Sequence, residues 1–396
     1  MRVLLVNKFH YARGGDCIAS MATCRMLRSA GVASAFFTMS HPFTEAADYQ
    51  LYQAPEIKLG AGAKGSLKAL ARIFGRGDVR KAFVQALDDF RPDAVHLHNI
   101  HSYLSPVIGE MAHRRGCRVV WTLHDYKLVC PAYTMRRPDG ENCLDCLIKP
   151  ASCMANRCMG SGILRNFVAE MEMLKWCRSR IEKFTDRFIA PSEFMRNIMI
   201  RAGFSRNRIS VLPNFVSRDF IDAIPFSSPH SAAFLYCGRL SDEKGITTLI
   251  GAAIQAGVWL NIVGDGPLRS QLERSYGRVD GIRFLGPKSR AEVASLMAEA
   301  AALVVPSEWF ENNPCSVAEA LCCGTPVIAS RIGGIPEMIS RANGVLFEAG
   351  NAEELAGILS RFSRCCSFDN SGIAASARSR YSEKSHLDQL IELYKN

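Results

Sequence analysis

The sequence predicts an α/β protein of two Rossmann-like domains. Three observations predict it. Short apolar, β-branched runs alternate with segments of helical period along the chain, the order expected of a doubly wound parallel sheet. With 396 residues, 48% of them hydrophobic, the chain can bury core for two domains of that size. The pattern of a strand followed by Pro-Ser-Glu occurs twice, at 190–193 and 305–308, as a duplicated unit would leave it.

In the first half, Val3–Val6 reads as a strand. Asp16–Leu27 reads as a helix, with Ile18, Met21, Met26 and Leu27 at helical spacing. Between them, Arg13-Gly14-Gly15 suits a phosphate-approach loop, because glycine lets backbone come close and adopt positive φ; a plain tight turn fits equally well. Residues 58–81 hold seven basic side chains and one acid, Asp78. Lys64, Lys68, Arg72, Arg76 and Arg80 recur every four residues beside Leu67, Leu70, Ile73 and Phe74, and Gly75 and Gly77 interrupt them. A basic face beside an apolar edge suits an anionic membrane surface, with a solvated helix face as the plain alternative.

Ala94–Leu97 is a strand running into His98, Asn99 and His101. His96 and His98 share one face, yet no carboxylate or third ligand falls in register for a metal. The strand Arg118–Leu123 carries His124-Asp125 at its tip, where the crevice of an α/β sheet receives ligands; a buried histidine that only caps the strand is the alternative.

Cys130, Cys143, Cys146, Cys153 and Cys158 then crowd a polar loop with little core of its own. Cys143-x-x-Cys146 with Cys153 and Cys158 supplies four thiolates for a structural zinc, leaving Cys130 as a spare or alternative ligand. An iron–sulfur cluster and simple reduced thiols are the other readings. No vacancy or neighbouring base marks a catalytic metal. A helix over 164–187, the strand Phe188–Ala190, a helix over 193–202 and the run 209–212 bring the first domain, 1–214 with its insertion at 130–158, to an end.

The second domain, 215–375, opens with the strand Ala233–Cys237 and the turn 238–245 before the helix Ile246–Ala256. Arg239 and Lys244 there could hold a diphosphate leaving group, Arg through two oxygens and Lys as a point charge. Strands follow at 259–263, 282–285 and 301–305. After the last, Asn312-Asn313-Pro314 turns the chain into a helix from Cys315, ended by Gly324 before the strand Val327–Ser330. Glu311 lies beyond the strand and Glu319 about one turn into the helix. Carboxylates accept from sugar hydroxyls, while free amides at a helix start donate to phosphate, so the unit suits a sugar nucleotide.

Glu311, seven intervening residues, Glu319 and then Gly324-Thr325-Pro326-Val327 resemble the signature of the retaining family 4 glycosyltransferases. Gly238-Arg239-Leu240 with Glu243-Lys244-Gly245 is similar to that family's diphosphate loop, and Gly14-Gly15 and His124 stand in the family order, so the resemblance spans nearly the whole chain. It implies the GT-B fold, two Rossmann-like domains facing each other across a cleft, with residues 376–396 forming a helix that packs back on the first domain. It implies catalytic roles for His124, Arg239, Lys244 and Glu311. Donor contacts would come from Gly14, Gly15, Arg239, Lys244, Glu311, Asn312, Asn313, Cys315, Ser316 and Glu319, and His98, Asn99 and Asp125 would lie on the acceptor side, Asp125 orienting His124. The chain departs from the family in having Asn313-Pro314 where many members have Phe-Gly; Pro314 has no N–H, so amide contacts fall to Cys315 and Ser316.

The expected reaction moves a hexose from a UDP- or GDP-linked sugar to a lipid-linked or saccharide acceptor in cell-surface polysaccharide synthesis, without a catalytic metal. No Asp-x-Asp occurs, against the metal-dependent GT-A class. An epimerase or phosphorylase of the same fold and a non-catalytic nucleotide-sugar-binding scaffold are the rivals. The net charge of +10 suits an anionic partner, and without zinc-finger spacing, an RNA-recognition motif or a basic heptad helix that partner is not expected to be nucleic acid. No run of about 18 apolar residues predicts a membrane span, and the N-terminal apolar run is too short for a secretory core, so the expected place is the cytoplasm, peripheral to the membrane.

Overall fold

The computed structural model describes residues 1–57, 62–149, 152–225, 231–365 and 367–395. The chain divides into two compact units, Met1–Leu212 with Leu387–Asn396, and Pro213–His386. Each is a parallel sheet flanked by helices.

In the first unit, β1 (Arg2–Val6), β2 (Ala33–Met39), β3 (Leu51–Ala54), β4 (Ala94–Leu97), β5 (Arg118–Thr122), β6 (Arg187–Ala190) and β7 (Ile209–Val211) lie in the order β3-β2-β1-β4-β5-β6-β7. All pairings are parallel, with Val3 opposite Ala94 and Val6 opposite Leu97. β1 and β4 read as continuous apolar runs because both faces are covered; Leu4, Leu5, Val95 and Leu97 have no exposed surface. The helix Glu383–Lys395 contributes its residues from Leu387 onward to this unit, where Tyr394 Oη meets His96 Nδ1 at 2.6 Å and Arg118 Nε donates to Leu393 O at 2.8 Å.

The second unit holds β8 (Phe234–Cys237), β9 (Leu260–Val263), β10 (Ile282–Gly286), β11 (Leu303–Val305), β12 (Val327–Ser330) and β13 (Gly344–Phe347), in the order β10-β9-β8-β11-β12-β13 and again all parallel. Strand order reverses between β1 and β4 in one unit and between β8 and β11 in the other. At such a point the loops leaving two neighbouring strands run in opposite directions and open a crevice, which is where α/β sheets bind ligands.

The structure corrects three expectations. Helices Gly62–Ile73 and Asp78–Phe90 are separated at Gly75 and Gly77, with φ of 74° and 91°, where the sequence places the interruption, but the basic stripe itself fails at Arg72. Arg72 is buried, ion-paired with Asp78 and donating to Pro55 O at 2.8 Å, so it cannot face a membrane. Lys58 and the side chain of Lys64 lie outside the described residues. The helix expected over 164–187 is two, Ile163–Lys175 and Arg178–Phe184, parted where buried Trp176 turns inward to donate from Nε1 to Ile73 O at 2.8 Å. The repeated Pro-Ser-Glu does not mark equivalent places. Ser192 caps the helix Glu193–Arg201 beside a strand near the sheet edge, whereas Ser307 follows the switch-point strand β11 into a loop.

Candidate active site

Because β8 and β11 are neighbours, with Leu235 opposite Leu303, the loops at 238–245 and 306–314 meet beyond their C-terminal ends. Lys244 closes a 3-10 turn, Asp242–Lys244, and its Nζ donates to Glu311 Oε1 at 2.6 Å. Ser307 Oγ donates to the same oxygen at 2.6 Å, and the Lys244 ammonium lies 4.9 Å from the centre of the Trp309 ring. Burial alone would push the Glu311 carboxyl up; the Lys244 charge and the hydrogen bonds from Lys244 and Ser307 outweigh it and hold it below the usual range. An ammonium has three donors, so two on Lys244 remain for a ligand.

Arg239, on the same loop as Lys244, is exposed and forms no ion pair among the described residues; Tyr236 Oη donates to its carbonyl at 2.7 Å and fixes the turn. The helix Cys315–Cys322 starts after Pro314 without a side-chain cap, and among the described residues the amides of its half-buried first residues, Cys315 and Ser316, donate to no backbone carbonyl. They are oriented donors at the positive end of a helix. Glu319, one turn in, pairs with Arg290 at 3.3 Å; burial pushes its carboxyl up and Arg290 partly offsets that. Asn312 is half-buried beside Glu311. Asn313 is committed inside the unit, accepting from Asn214 N at 2.9 Å and donating to Met338 Sδ at 3.3 Å. Lys244, Arg239, Glu311, Cys315 and Ser316 thus surround one switch point, while Glu319 is held by Arg290, a residue the sequence did not single out.

At the switch point of the first unit, Asn99 Nδ2 donates to Asp16 Oδ2 at 2.9 Å, Lys8 Nζ lies 3.7 Å from the same oxygen, and Asn99 N donates to Asn7 Oδ1 at 3.1 Å. His98 Nδ1 is 2.8 Å from His124 Nε2, and Trp121 Nε1 donates to His98 O at 3.0 Å. The sequence reading missed Asn7, Lys8 and Asp16. Their one signal was position, since β1 ends immediately before Asn7 and the first glycine-loop helix starts at Gly15.

Two expectations change here. Asp125 does not orient His124: its Oδ1 accepts from Lys127 N at 2.9 Å, and Asp16 is the carboxylate whose charge bears on His124. Nor are Gly14 and Gly15 needed for positive φ. Gly14 is extended at φ −171°, Gly15 begins the helix Gly15–Ser29, and a Cβ on Gly15 would meet nothing within 4 Å. What the pair provides is open approach to uncapped helix amides.

Burial pushes His124 down to about 4, with Asp16 opposing, and burial pushes His386 down to about 4 as well. Both folded values lie below the ordinary 6.5, so between about pH 4 and 6.5 the unfolded chain binds more protons than the folded one. Stability is therefore fully present above that window and falls as pH falls through it, by on the order of 3 kcal/mol per histidine at its lower end. Urea unfolding followed from pH 7 to 5 should show the midpoint falling, and His386→Gln should flatten the slope.

The cysteines of the loop 130–158 are free thiols. Cys130, Cys143, Cys146 and Cys158 line a void of about 10 Å³ together with Val129, Met135 and Leu147. Cys153 is fully buried but does not line it, unlike the set expected from spacing. Among the described residues no three His, Cys, Asp or Glu side chains are already spaced to hold a metal ion.

Two parallel sheets, each with polar side chains gathered at its switch point, give this chain the GT-B fold of its glycosyltransferase structural neighbours. The family described as Glycosyltransferase Family 4 matches residues 20–220, and the domain described as Glycosyl transferases group 1 matches 217–371. The chain belongs to Glycosyltransferase Family 4. An uncharacterized glycosyltransferase of Methanocaldococcus jannaschii is 30% identical over 49% of this chain and 53% of that one. A GDP-mannose-dependent alpha-(1-6)-phosphatidylinositol dimannoside mannosyltransferase of Mycobacterium tuberculosis is 37% identical over 30% of this chain and 32% of its own. The chain thus spans about half the length of its archaeal relative and about a third of the mycobacterial one. In fold it is similar to Anabaena HepE in complex with UDP and glucose, with a TM-score of 0.71 and 19% identity over 99% of this chain and 98% of that one.

Proposed function

We propose that this chain moves a hexose from a UDP- or GDP-linked sugar to a lipid-linked or saccharide acceptor, with retention of configuration, in the assembly of a cell-surface polysaccharide. The observation that carries the reading is the Lys244–Glu311 contact at 2.6 Å beside the uncapped start of the helix Cys315–Cys322. A sugar diphosphate needs cations and amides for its phosphates and a carboxylate for its sugar hydroxyls, and these residues supply both. As the glycosidic bond breaks, charge grows on the leaving phosphate; Lys244 and Arg239, already placed, stabilise it without reorganisation. Glu319 takes a ribose hydroxyl in exchange for Arg290. On the first unit His124 is kept neutral by burial, so a hydrogen bond it offers a ligand adds no positive charge. The acceptor proton leaves through the departing phosphate, so no protein nucleophile is required. HepE binds UDP and the mycobacterial relative uses GDP-mannose, so both nucleotides belong in the test.

Peripheral attachment to an anionic membrane is part of the proposal. Among the described residues no helix is long and apolar enough to cross a membrane. Leu67 and Leu70 are exposed on the helix Gly62–Ile73, and Ile163, Leu164, Phe167 and Leu174 on the helix Ile163–Lys175. Both acids of the second helix, Glu170 and Glu172, are buried, so Arg165 and Lys175 are the charges left on its outer side. That combination of apolar and basic residues suits an anionic lipid surface.

Thermal-shift titration with UDP, GDP and their sugars, followed by NMR of the product's anomeric configuration, tests the reading. Stabilisation by one nucleotide series and a retained linkage support it. Release of a free epimer, dependence on inorganic phosphate, or no stabilisation by either series overturns it. Gly15→Ala checks the glycine loop separately. Nothing opposes the added methyl, so the melting temperature should hold while the donor KM rises roughly tenfold, the value of about one lost charge-assisted contact.

A further inference from the structure

The loop Cys130–Cys158 has the inside of a metal site rather than of a hydrophobic core. Tyr133, Ile148 and Met154 are exposed, while Cys130, Met135 and Cys153 are buried, so much of its interior is sulfur. Among the described residues its regular structure amounts to the helices Asp145–Ile148 and Ser152–Ala155 and one antiparallel bridge between Arg136 and Asn142. Segments this small hold a fixed shape only with a staple. Yet three non-glycine residues within it, Tyr133, Met135 and Arg157, take left-handed backbone with φ of 58°, 51° and 52°. Such conformations persist where the surroundings over-determine them.

The sulfurs around the void are also supplied with donors. Asp145 N donates to Cys143 Sγ at 3.5 Å, two residues on from the cysteine. The amides of Ala132, again two residues on, and of Met135 face Cys130 Sγ; the amide of Cys153 faces Cys146 Sγ, and the Cys153 thiol faces Cys158. N–H and S–H groups directed at sulfur are what thiolate ligands require around them, and they assign Cys153 a supporting place rather than a ligand position. The void of about 10 Å³ has room for one water-sized body.

We propose that Cys130, Cys143, Cys146 and Cys158 bind one structural zinc ion, which closes the four thiols onto the void and holds the loop in its left-handed turns. Four sulfurs with no open position select zinc in tetrahedral geometry, and binding releases the thiol protons. The site lies on the first unit and does not depend on the proposed transferase activity.

The test uses the full chain, purified without chelator. Elemental analysis should find about one zinc per chain; iron instead, or near-zero zinc, overturns the proposal. Replacement by cobalt(II) should give the visible bands of a tetrahedral thiolate complex, and a spectrum of octahedral cobalt overturns it. Cys153→Ser should keep the metal while Cys130→Ser loses it. The reverse result overturns the ligand assignment, and since both are read as metal content against a soluble wild type, loss of activity does not enter. A zinc-loaded chain that binds no nucleotide would refute the transferase reading and leave this site standing.

Discussion

Glu311→Gln is expected to lower kcat/KM about a thousandfold, with most of the loss in kcat, while circular dichroism and nucleotide binding survive. The substitution keeps the side chain's size and one acceptor oxygen for Lys244 and Ser307, so the loop 306–314 retains its contacts. What disappears is the negative charge between a fixed ammonium and the sugar. Lys244 is 23% exposed and can turn to water or to phosphate, so losing its partner does not strand a buried cation. A scaffold that only binds nucleotide sugar would show no change in polysaccharide output with this variant. The variant also changes the acid side of stability. Glu311 is held below its ordinary value, so the wild type has a contribution that is present above that value and lost as pH falls through the folded one; Gln removes it.

The switch-point loops were legible because their chemistry is carried by residue types at fixed spacing. Arg239, Lys244 and Glu311 lie in sequence beside strands of continuous apolar residues, and such runs identify buried parallel strands without further information. Asp16 and Lys8 were not legible. Each is an ordinary charged residue, and what makes them part of a site is that β1 and β4 are neighbours, a fact of topology rather than of local sequence. Arg72 misled for a related reason: its spacing fitted a basic stripe, but Asp78 and two carbonyls from other segments make a buried guanidinium affordable there. Cys130 stood outside the C-x-x-C spacing and is separated from Cys143 by a strained turn; the fold returns it to the other sulfurs. Trp176 ended a helix that its neighbours would continue, since its indole finds an acceptor only by turning inward.

Gly245→Ala is expected to destabilise the second unit by on the order of 3 kcal/mol and to weaken donor binding together with stability. Gly245 follows Lys244 at φ 65°, and a Cβ there would lie 1.9 Å from Pro306 O and 3.2 Å from Glu308 Oε1. The two loops approach this closely because Glu308 N donates to Glu243 O at 3.0 Å and Thr248 Oγ1 donates to Glu308 at 2.5 Å. A methyl group must push Pro306 away, and with it the segment that carries Ser307 and Glu311, so Lys244 would lose its 2.6 Å contact. Gly257→Ala separates the two causes. Gly257 ends the same helix, Ile246–Ala256, at the same φ of 65°, but a Cβ there meets nothing within 4 Å. It should cost about 1 kcal/mol, the backbone conformation alone, and leave donor affinity unchanged. Urea midpoints and nucleotide titrations on both variants measure the difference. Equal costs at the two positions would mean that the loops after β8 and β11 are not in contact, and that the cation and carboxylate do not form one site.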